Sequence, residues 1–201
     1  EHLPADLTDP AAWSAIAAHF QVRLADFDGD HVAFIHAAGA VTPIGFSGEV
    51  NHAHYRATIL LNAAASPVLG DAFLNALETS GFDGTADLVF ISSGAAQRPV
   101  EGWSAYCAGK AAQDMWVRTV GAEQARRGRG RRLLAVAPGV VATAMQEQIR
   151  ATDERDFPDV ERFHRLHKEG ALLEPHDSAS RIWEVVRSDA RSGAVVDIRE
   201  L

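Results

Sequence analysis

Tyr106 and Lys110 stand four residues apart in the run Tyr106-Cys107-Ala108-Gly109-Lys110. At that spacing two side chains share one face of a helix. A free phenol ionises at about pH 10, so alone it is a poor acid or base at neutral pH. A neighbouring ammonium favours the phenolate and lowers that value. The pair therefore reads as a general acid that protonates a carbonyl oxygen while hydride arrives at the carbon. A surface i,i+4 pair has the same spacing, so the motif depends on its company. Ser93 lies thirteen residues before Tyr106, at the end of an apolar run. There its hydroxyl can donate to the same carbonyl oxygen; the plain alternative is a turn or capping serine. Asn62 follows an apolar helical stretch and can supply a polar group behind the lysine; alone it reads as a helix-surface asparagine. Pro138-Gly139-Val140-Val141-Ala142-Thr143 can turn the backbone toward a cofactor ring, or simply end a strand.

The elements that must hold these residues alternate. Apolar runs at His31–Ala37, Ala86–Ser92, Leu133–Ala137 and Ala194–Ile198 predict strands, and Leu3–Ala5 reads as the end of another. Asp9-Pro10 opens a helix carrying Trp13, Ile16, Ala17 and Phe20. Further helices are predicted over Glu49–Leu77, with interruptions near Pro67 and Gly70, over Ala105–Arg127 and over Ser178–Arg187. Asp153–Gly170 is charged, contains Phe157, Phe163 and Leu166, and reads as a helical lid or as a permanently packed excursion. Strands separated by helices of this length imply βα units and a parallel sheet with helices on both faces. Such a sheet binds ligands beyond the carboxyl ends of its strands. His36-Ala37-Ala38-Gly39, Ser92-Ser93-Gly94 and Pro138-Gly139 all fall there.

Composition narrows the function classes. The chain has 201 residues, 47% apolar and 23% charged, with 19 Lys+Arg against 27 Asp+Glu and a net charge of −8. An acidic chain is a poor partner for nucleic acid or anionic membrane. The basic run Arg126-Arg127-Gly128-Arg129-Gly130-Arg131-Arg132 is read as a solvated helix end. A single cysteine, Cys107, rules out an internal disulfide framework. His52-x-His54 and His164-x-x-His167 lack the spacing of a zinc site, so no metal is expected. No apolar run reaches the roughly 20 residues of a membrane span. A cytoplasmic enzyme is the expectation.

Taken together, these positions resemble the short-chain dehydrogenase/reductase family. The carrying residues are Asp6-Leu7, His36-Ala37-Ala38-Gly39, Asn62, Ser93, Tyr106-x-x-x-Lys110 and Pro138-Gly139-x-x-x-Thr143, in the family's order. Gly102–Met115, Thr143-Ala144-Met145-Gln146 and the tail Ser192–Asp197 are similar to the sepiapterin reductase-like branch. The resemblance implies an α/β domain with a Rossmann-type doubly wound parallel sheet. It implies an NADPH-dependent carbonyl reductase, NAD(H) remaining open. Tyr106 would be the proton donor, Lys110 the holder of the nicotinamide ribose and depressor of the tyrosine's pKa, Ser93 the polariser of the substrate carbonyl and Asn62 the support of a water relay. Asp6 and Leu7 would lie near the adenine, Ala38 and Gly39 by the ribose, and Pro138, Gly139, Val141, Thr143, Ala144 and Met145 along the nicotinamide and diphosphate. Gly94, Gly139 and Asp197 would border the substrate, Asp197 anchoring a pterin ring. A diketone (benzil-type) or 3-oxoacyl reductase, and a truncated non-catalytic relative, are the alternatives. A homodimer or homotetramer through the helices of Asn62 and Tyr106 is implied as well.

The chain departs from that family in two places. No Gly-x-x-x-Gly-x-Gly turn precedes Asp6, although such a turn normally cradles the pyrophosphate. Residues 1–201 are thus read as one domain lacking its first β-α-β-α unit, roughly 50 residues by the size of βαβ units. His36 replaces the family's first asparagine in its Asn-Asn-Ala-Gly motif.

Overall fold

The computed structural model describes residues 1–201. Four strands form one all-parallel sheet in the order β1 (His31–His36), β2 (Thr85–Ile91), β3 (Arg131–Ala137) and β4 (Ala194–Asp197). Helix α1 (Pro10–Ala25) precedes β1. A continuous helix joins β1 to β2 and comprises α2 (His52–Ile59), a π-helical turn (Leu60–Ala65) and α3 (Ser66–Thr79). Helix α4 (Ser104–Arg127) joins β2 to β3, and α5 (Ala144–Arg150), α6 (Val160–Lys168) and α7 (Pro175–Arg187) lie between β3 and β4. Parallel neighbours require such crossovers, because no tight turn can return a strand to its starting end.

Side-chain alternation along the strands builds two core layers. Leu88, Phe90, Leu133 and Ala135 point to one face, where they pack with Leu24, Phe73, Leu77 and Val117. Val89, Leu134 and Val136 point to the other, against Val185, Val186 and Ile198. Each Val, Leu, Ile or Phe among them contributes about 1.5–3 kcal/mol on burial. The outer edge of β1 is unpaired, and Ile35 on it is 42% exposed. A third cluster gathers at the carboxyl ends of the strands: Val41, Trp103, Tyr106, Ile149, Phe157 and Phe163.

Three sequence expectations are corrected here, and one that is open between a lid and a packed excursion is described. Leu3–Ala5 is not a strand; it pairs with nothing, and the Asp6 carboxylate turns the chain by accepting from the Thr8 amide and hydroxyl. The helix from His52 to Thr79 has 28 residues, and an 18-residue window of it has a mean hydropathy of 1.4, long and apolar enough to cross a bilayer by those measures. Its apolar residues are instead spent on the sheet, through Leu69, Phe73, Ala76 and Leu77. The basic run is more than a solvated helix end. Gly128 closes α4 in the left-handed conformation, Arg131 donates to the Phe82 and Gly84 carbonyls, and Arg132 binds Asp87 at 2.7 Å and the Ser188 carbonyl. The segment around α6 is packed rather than standing free: Phe157 is fully buried and stacks on Trp103 at 4.8 Å.

Candidate active site

Ser93 is carried to the sheet's carboxyl edge by β2, whose Ala86–Phe90 stretch is completely buried. Its hydroxyl oxygen accepts the Ala95 amide proton at 3.2 Å, capping a short 3₁₀ turn. That leaves the hydroxyl hydrogen free to donate. Tyr106 and Lys110 occupy adjacent turns of α4, 7% and 4% exposed. The sheet and the π-helical turn thus enclose a phenol and an ammonium that would otherwise be solvated.

The π-helical turn has a local cause and a local use. Asn62, only 1% exposed, is not a surface residue. Its amide clamps Ala40, accepting from the Ala40 amide at 3.0 Å and donating to the Ala40 carbonyl at 2.7 Å. The widened turn presses Asn62 against α4 at Gly109, where a Cβ would come within 2.4 Å of the Asn62 Cβ. Only glycine permits that approach. The clamp holds the loop after β1 so that a Cβ on Gly39 would lie 3.4 Å from Lys110 Nζ. Asn62 therefore positions the backbone beside the lysine, its side chain clamped to Ala40 with one amide hydrogen and one oxygen lone pair left over.

Behind Tyr106 and Lys110 lies a polar network that the sequence reading did not assign. The Ile91 carbonyl accepts from Lys110 Nζ at 2.7 Å and from Gln113 Nε2 at 3.1 Å. Asp114 accepts from the Ser92 hydroxyl at 2.5 Å and from Gln97 at 2.8 Å. The carboxylate ties α4 to both sides of Ser93. The available signal was the i,i+4 spacing of Lys110 and Asp114, which puts both on one helix face.

Electrostatics differ from the expectation. Burial pushes the Tyr106 phenol up, and only the facing Ser93 hydroxyl works against that. Lys110 is not among the groups that shift the phenol; its Nζ donates to the Ile91 carbonyl. Burial brings Lys110 itself down to about 8, with the Asp114 charge opposing the drop. Burial raises the Asp114 carboxyl. His36, stacked on Phe90 at 5.8 Å, is brought down to about 4 by burial and by the Lys110 charge. Neither ring nitrogen of His36 has a hydrogen-bond partner.

These groups open onto a cavity of about 330 Å³. Of the residues singled out from the sequence, Gly39, Ser93, Gly94, Tyr106, Lys110, Pro138, Gly139, Val141, Thr143 and Met145 line it. Asp6, Leu7, Ala38, Asn62, Ala144 and Asp197 are not among its lining residues. Asp6 and Leu7 build their own turn, where Leu7 accepts from the Trp13 indole at 3.0 Å. Asp197 is held by Arg199, which donates to it from Nε at 2.9 Å and from Nη2 at 2.5 Å. Lining residues that the sequence reading missed include Arg98, Trp103, Ile149, Arg162, Phe163, Ser178 and Arg199.

The cavity suits the nicotinamide-ribose half of a dinucleotide. Gly39 and Gly139 leave flat backbone on its walls; Gly139 has φ +73°, a conformation that L side chains rarely adopt. Gln146 is buried on the lining with its Oε1 unpartnered, an acceptor available to a carboxamide N–H. Lys110 has an ammonium hydrogen beyond its two protein partners.

Comparison with known proteins agrees with this geometry. The family profile described as short chain dehydrogenase matches residues 1–154. A benzil reductase that forms (S)-benzoin, from Bacillus subtilis, is 34% identical over 184 residues, covering 90% of this chain and 75% of the relative. Sepiapterin reductase of Rattus norvegicus is 36% identical over 143 residues, covering 70% of this chain and 52% of the relative. The benzil reductase likeness thus extends over more of both chains than the sepiapterin reductase likeness expected from the motifs. The crystal structure of the KRED1-Pglu enzyme superimposes with a TM-score of 0.77 at 26% identity, covering 96% of this chain and 77% of that one. Sheet, site and relatives converge: this chain belongs to the short-chain dehydrogenase/reductase family, whose members are oxidoreductases acting between carbonyl and alcohol.

Proposed function

We propose that this protein is a carbonyl reductase of the benzil type, reducing one ketone of a vicinal dicarbonyl with NADP(H). The observation that carries the reading is the convergence of Ser93, Tyr106 and Lys110 on one cavity beside the glycine backbones of Gly39 and Gly139. The family works with NAD(P)(H); the preference for NADP(H) rests on the sepiapterin reductase-like motifs.

When bound, the reduced nicotinamide supplies the hydride. The chain's own residues do the rest. Ser93 donates its free hydroxyl hydrogen to the substrate oxygen and fixes the ketone. Tyr106 gives the same oxygen its proton as negative charge develops there. Burial keeps the phenol protonated and ready to donate at neutral pH. Lys110 turns its ammonium to the ribose hydroxyls and supplies positive charge behind the phenol. Asn62 holds Gly39 and Ala40 so that the loop after β1 borders the ribose. A water relay past Asn62 would use the amide hydrogen and oxygen lone pair that the Ala40 clamp leaves over. Gly39, Pro138, Gly139, Val141, Thr143 and Met145 make the cofactor wall. Trp103 and Phe163 make the apolar wall for the rest of the ketone.

A pterin substrate is the second reading, from the likeness to sepiapterin reductases. Asp197 would anchor the ring, but Arg199 already occupies its carboxylate, which favours a dicarbonyl. The complete set of Asn62, Ser93, Tyr106 and Lys110 favours an enzyme over a non-catalytic relative. A dimer or tetramer would use the exposed faces of α3 and α4, where Val68 and Met115 are 43% and 61% exposed. The test is NADPH oxidation by the purified protein with benzil, sepiapterin and a 3-oxoacyl ester as substrates. Turnover of benzil above the others supports the reading; turnover of sepiapterin alone replaces it with the second.

A further inference from the structure

The cavity carries more positive charge than its chemistry requires. Lys110 is accounted for by the reaction. Arg98, Arg162 and Arg199 line the same space, with Asp159 as its sole carboxylate, in a chain whose net charge is −8. Arg199 and Arg162 are offset by Asp197 and Asp159, so the unpaired charge at this concave site comes from Arg98 and from the side of each guanidinium turned away from its carboxylate, which attracts an anionic ligand.

The three arginines are held differently. Arg199 is fixed from behind by Asp197, through Nε and Nη2, and its backbone amide also donates to that carboxylate at 3.0 Å. Its Nη1 makes no hydrogen bond. The guanidinium passes over the backbone of Gly94, so that a Cβ there would lie 3.6 Å from Nη2, and its stem passes over Gly139. It thus stands one residue from Ser93, the proposed polariser of the ketone. Arg98 is exposed and forms no ion pair. Arg162 is loosely held by Asp159 at 3.5 Å and lies over the Phe163 ring at 5.6 Å.

We infer that the physiological substrate is an anionic ketone, with a carboxylate vicinal to the carbonyl that Ser93 engages. The inference rests on the carbonyl reductase reading and narrows its substrate class to 2-oxo acids with an apolar or aromatic body. Arg199 receives the carboxylate beside the ketone, and Arg98 adds attraction at the mouth. Trp103 and Phe163 receive the apolar end. In the reaction the ketone carbon gains hydride from the reduced nicotinamide, which is oxidised. The C=O π bond opens, its oxygen takes the Tyr106 proton, and a 2-hydroxy acid leaves.

The experiment compares benzoylformate with its methyl ester, which removes the charge and keeps the shape. Both kcat/KM with NADPH and binding by isothermal titration are measured, at low and high salt, for the wild type, Arg98→Gln and Arg199→Met. The ester ketone is the more electrophilic, so a preference for the acid reports recognition rather than reactivity. A charge-assisted contact to guanidinium predicts an acid-to-ester ratio of about ten or more. That ratio should fall by about ten-fold in Arg199→Met, by less in Arg98→Gln, and should shrink with salt. A ratio at or below one, or one that neither substitution changes, overturns the inference while benzil turnover still supports the reductase. Acid-selective binding without turnover of any ketone overturns the reductase reading and keeps the anion site.

Discussion

Lys110→Met separates what the lysine does for the reaction from what it does to the fold. The ammonium is 4% exposed and its pKa falls from 10.5 to about 8. That drop corresponds to about 3 kcal/mol against the charged form in the folded state. Methionine has a similar length and no charge to bury. The Ile91 carbonyl keeps a donor in the variant, from Gln113 at 3.1 Å, so no orphaned acceptor offsets the gain. Asp114 loses a nearby cation, which takes back part of it. The net expectation at pH 7 is a stabilisation of about 1–3 kcal/mol, or about 2–12 °C in Tm for a chain of this size. The pH dependence follows from the sign of the shift. Below pH 8 the lysine is protonated in both states and its burial cost is complete. Between pH 8 and 10.5 the unfolded chain holds the proton that the folded chain has lost, so wild-type stability rises with pH. The variant's advantage therefore shrinks across that window and vanishes above it. Thermal or urea melts of both proteins from pH 7 to 11 read this difference directly. Carbonyl reduction by the variant falls at every pH, and wild-type reduction declines above pH 8. A variant less stable than wild type at pH 7, or an advantage unchanged at pH 11, refutes the reasoning.

Other expectations follow from the same site. His36→Phe keeps the stack on Phe90 and removes two unpartnered ring nitrogens; it should stabilise the fold by about 1 kcal/mol or more. The wild type should also lose stability as pH falls from about 6.5 to 4, because only the unfolded histidine takes up a proton there; urea melts of His36→Phe should lack that limb. Gly109→Ala places a methyl 2.4 Å from the Asn62 Cβ, and should cost about 1–3 kcal/mol together with most of the activity, both measurable on one preparation. Arg199→Met frees the Asp197 carboxylate, so turnover of sepiapterin relative to benzil should rise; no change would mean that Asp197 does not reach the substrate.

The sequence carried the strands well where a buried parallel strand leaves a continuous apolar run, as in Ala86–Ser92 and Leu133–Ala137. It also pointed to Ser93, Tyr106 and Lys110, which the fold brings to one cavity, because they fall together at or after the ends of such runs. It failed where a side chain's role depends on what faces it. Asn62 read as a surface residue on its own, since neither the π-helical turn nor Gly109 pressing on it leaves a periodic signature. The pairing of Asp197 with Arg199, two residues on, leaves no signal in the sequence either. Lys110 read as a partner that would acidify Tyr106, whereas the sheet presents it the Ile91 carbonyl and burial governs both groups. Leu3–Ala5 read as a strand from apolarity alone, with no pairing edge to make it one.

The central claim is that Tyr106 delivers the proton to a ketone oxygen held by Ser93. Its most direct measurement is the rate of NADPH oxidation with benzil for wild type, Tyr106→Phe and Ser93→Ala, with melts showing that each variant is folded. The account predicts a loss of about 10²- to 10⁴-fold for Tyr106→Phe and about 10²-fold or more for Ser93→Ala, in kcat rather than in KM. A folded Tyr106→Phe protein that still reduces benzil at near the wild-type rate would contradict it.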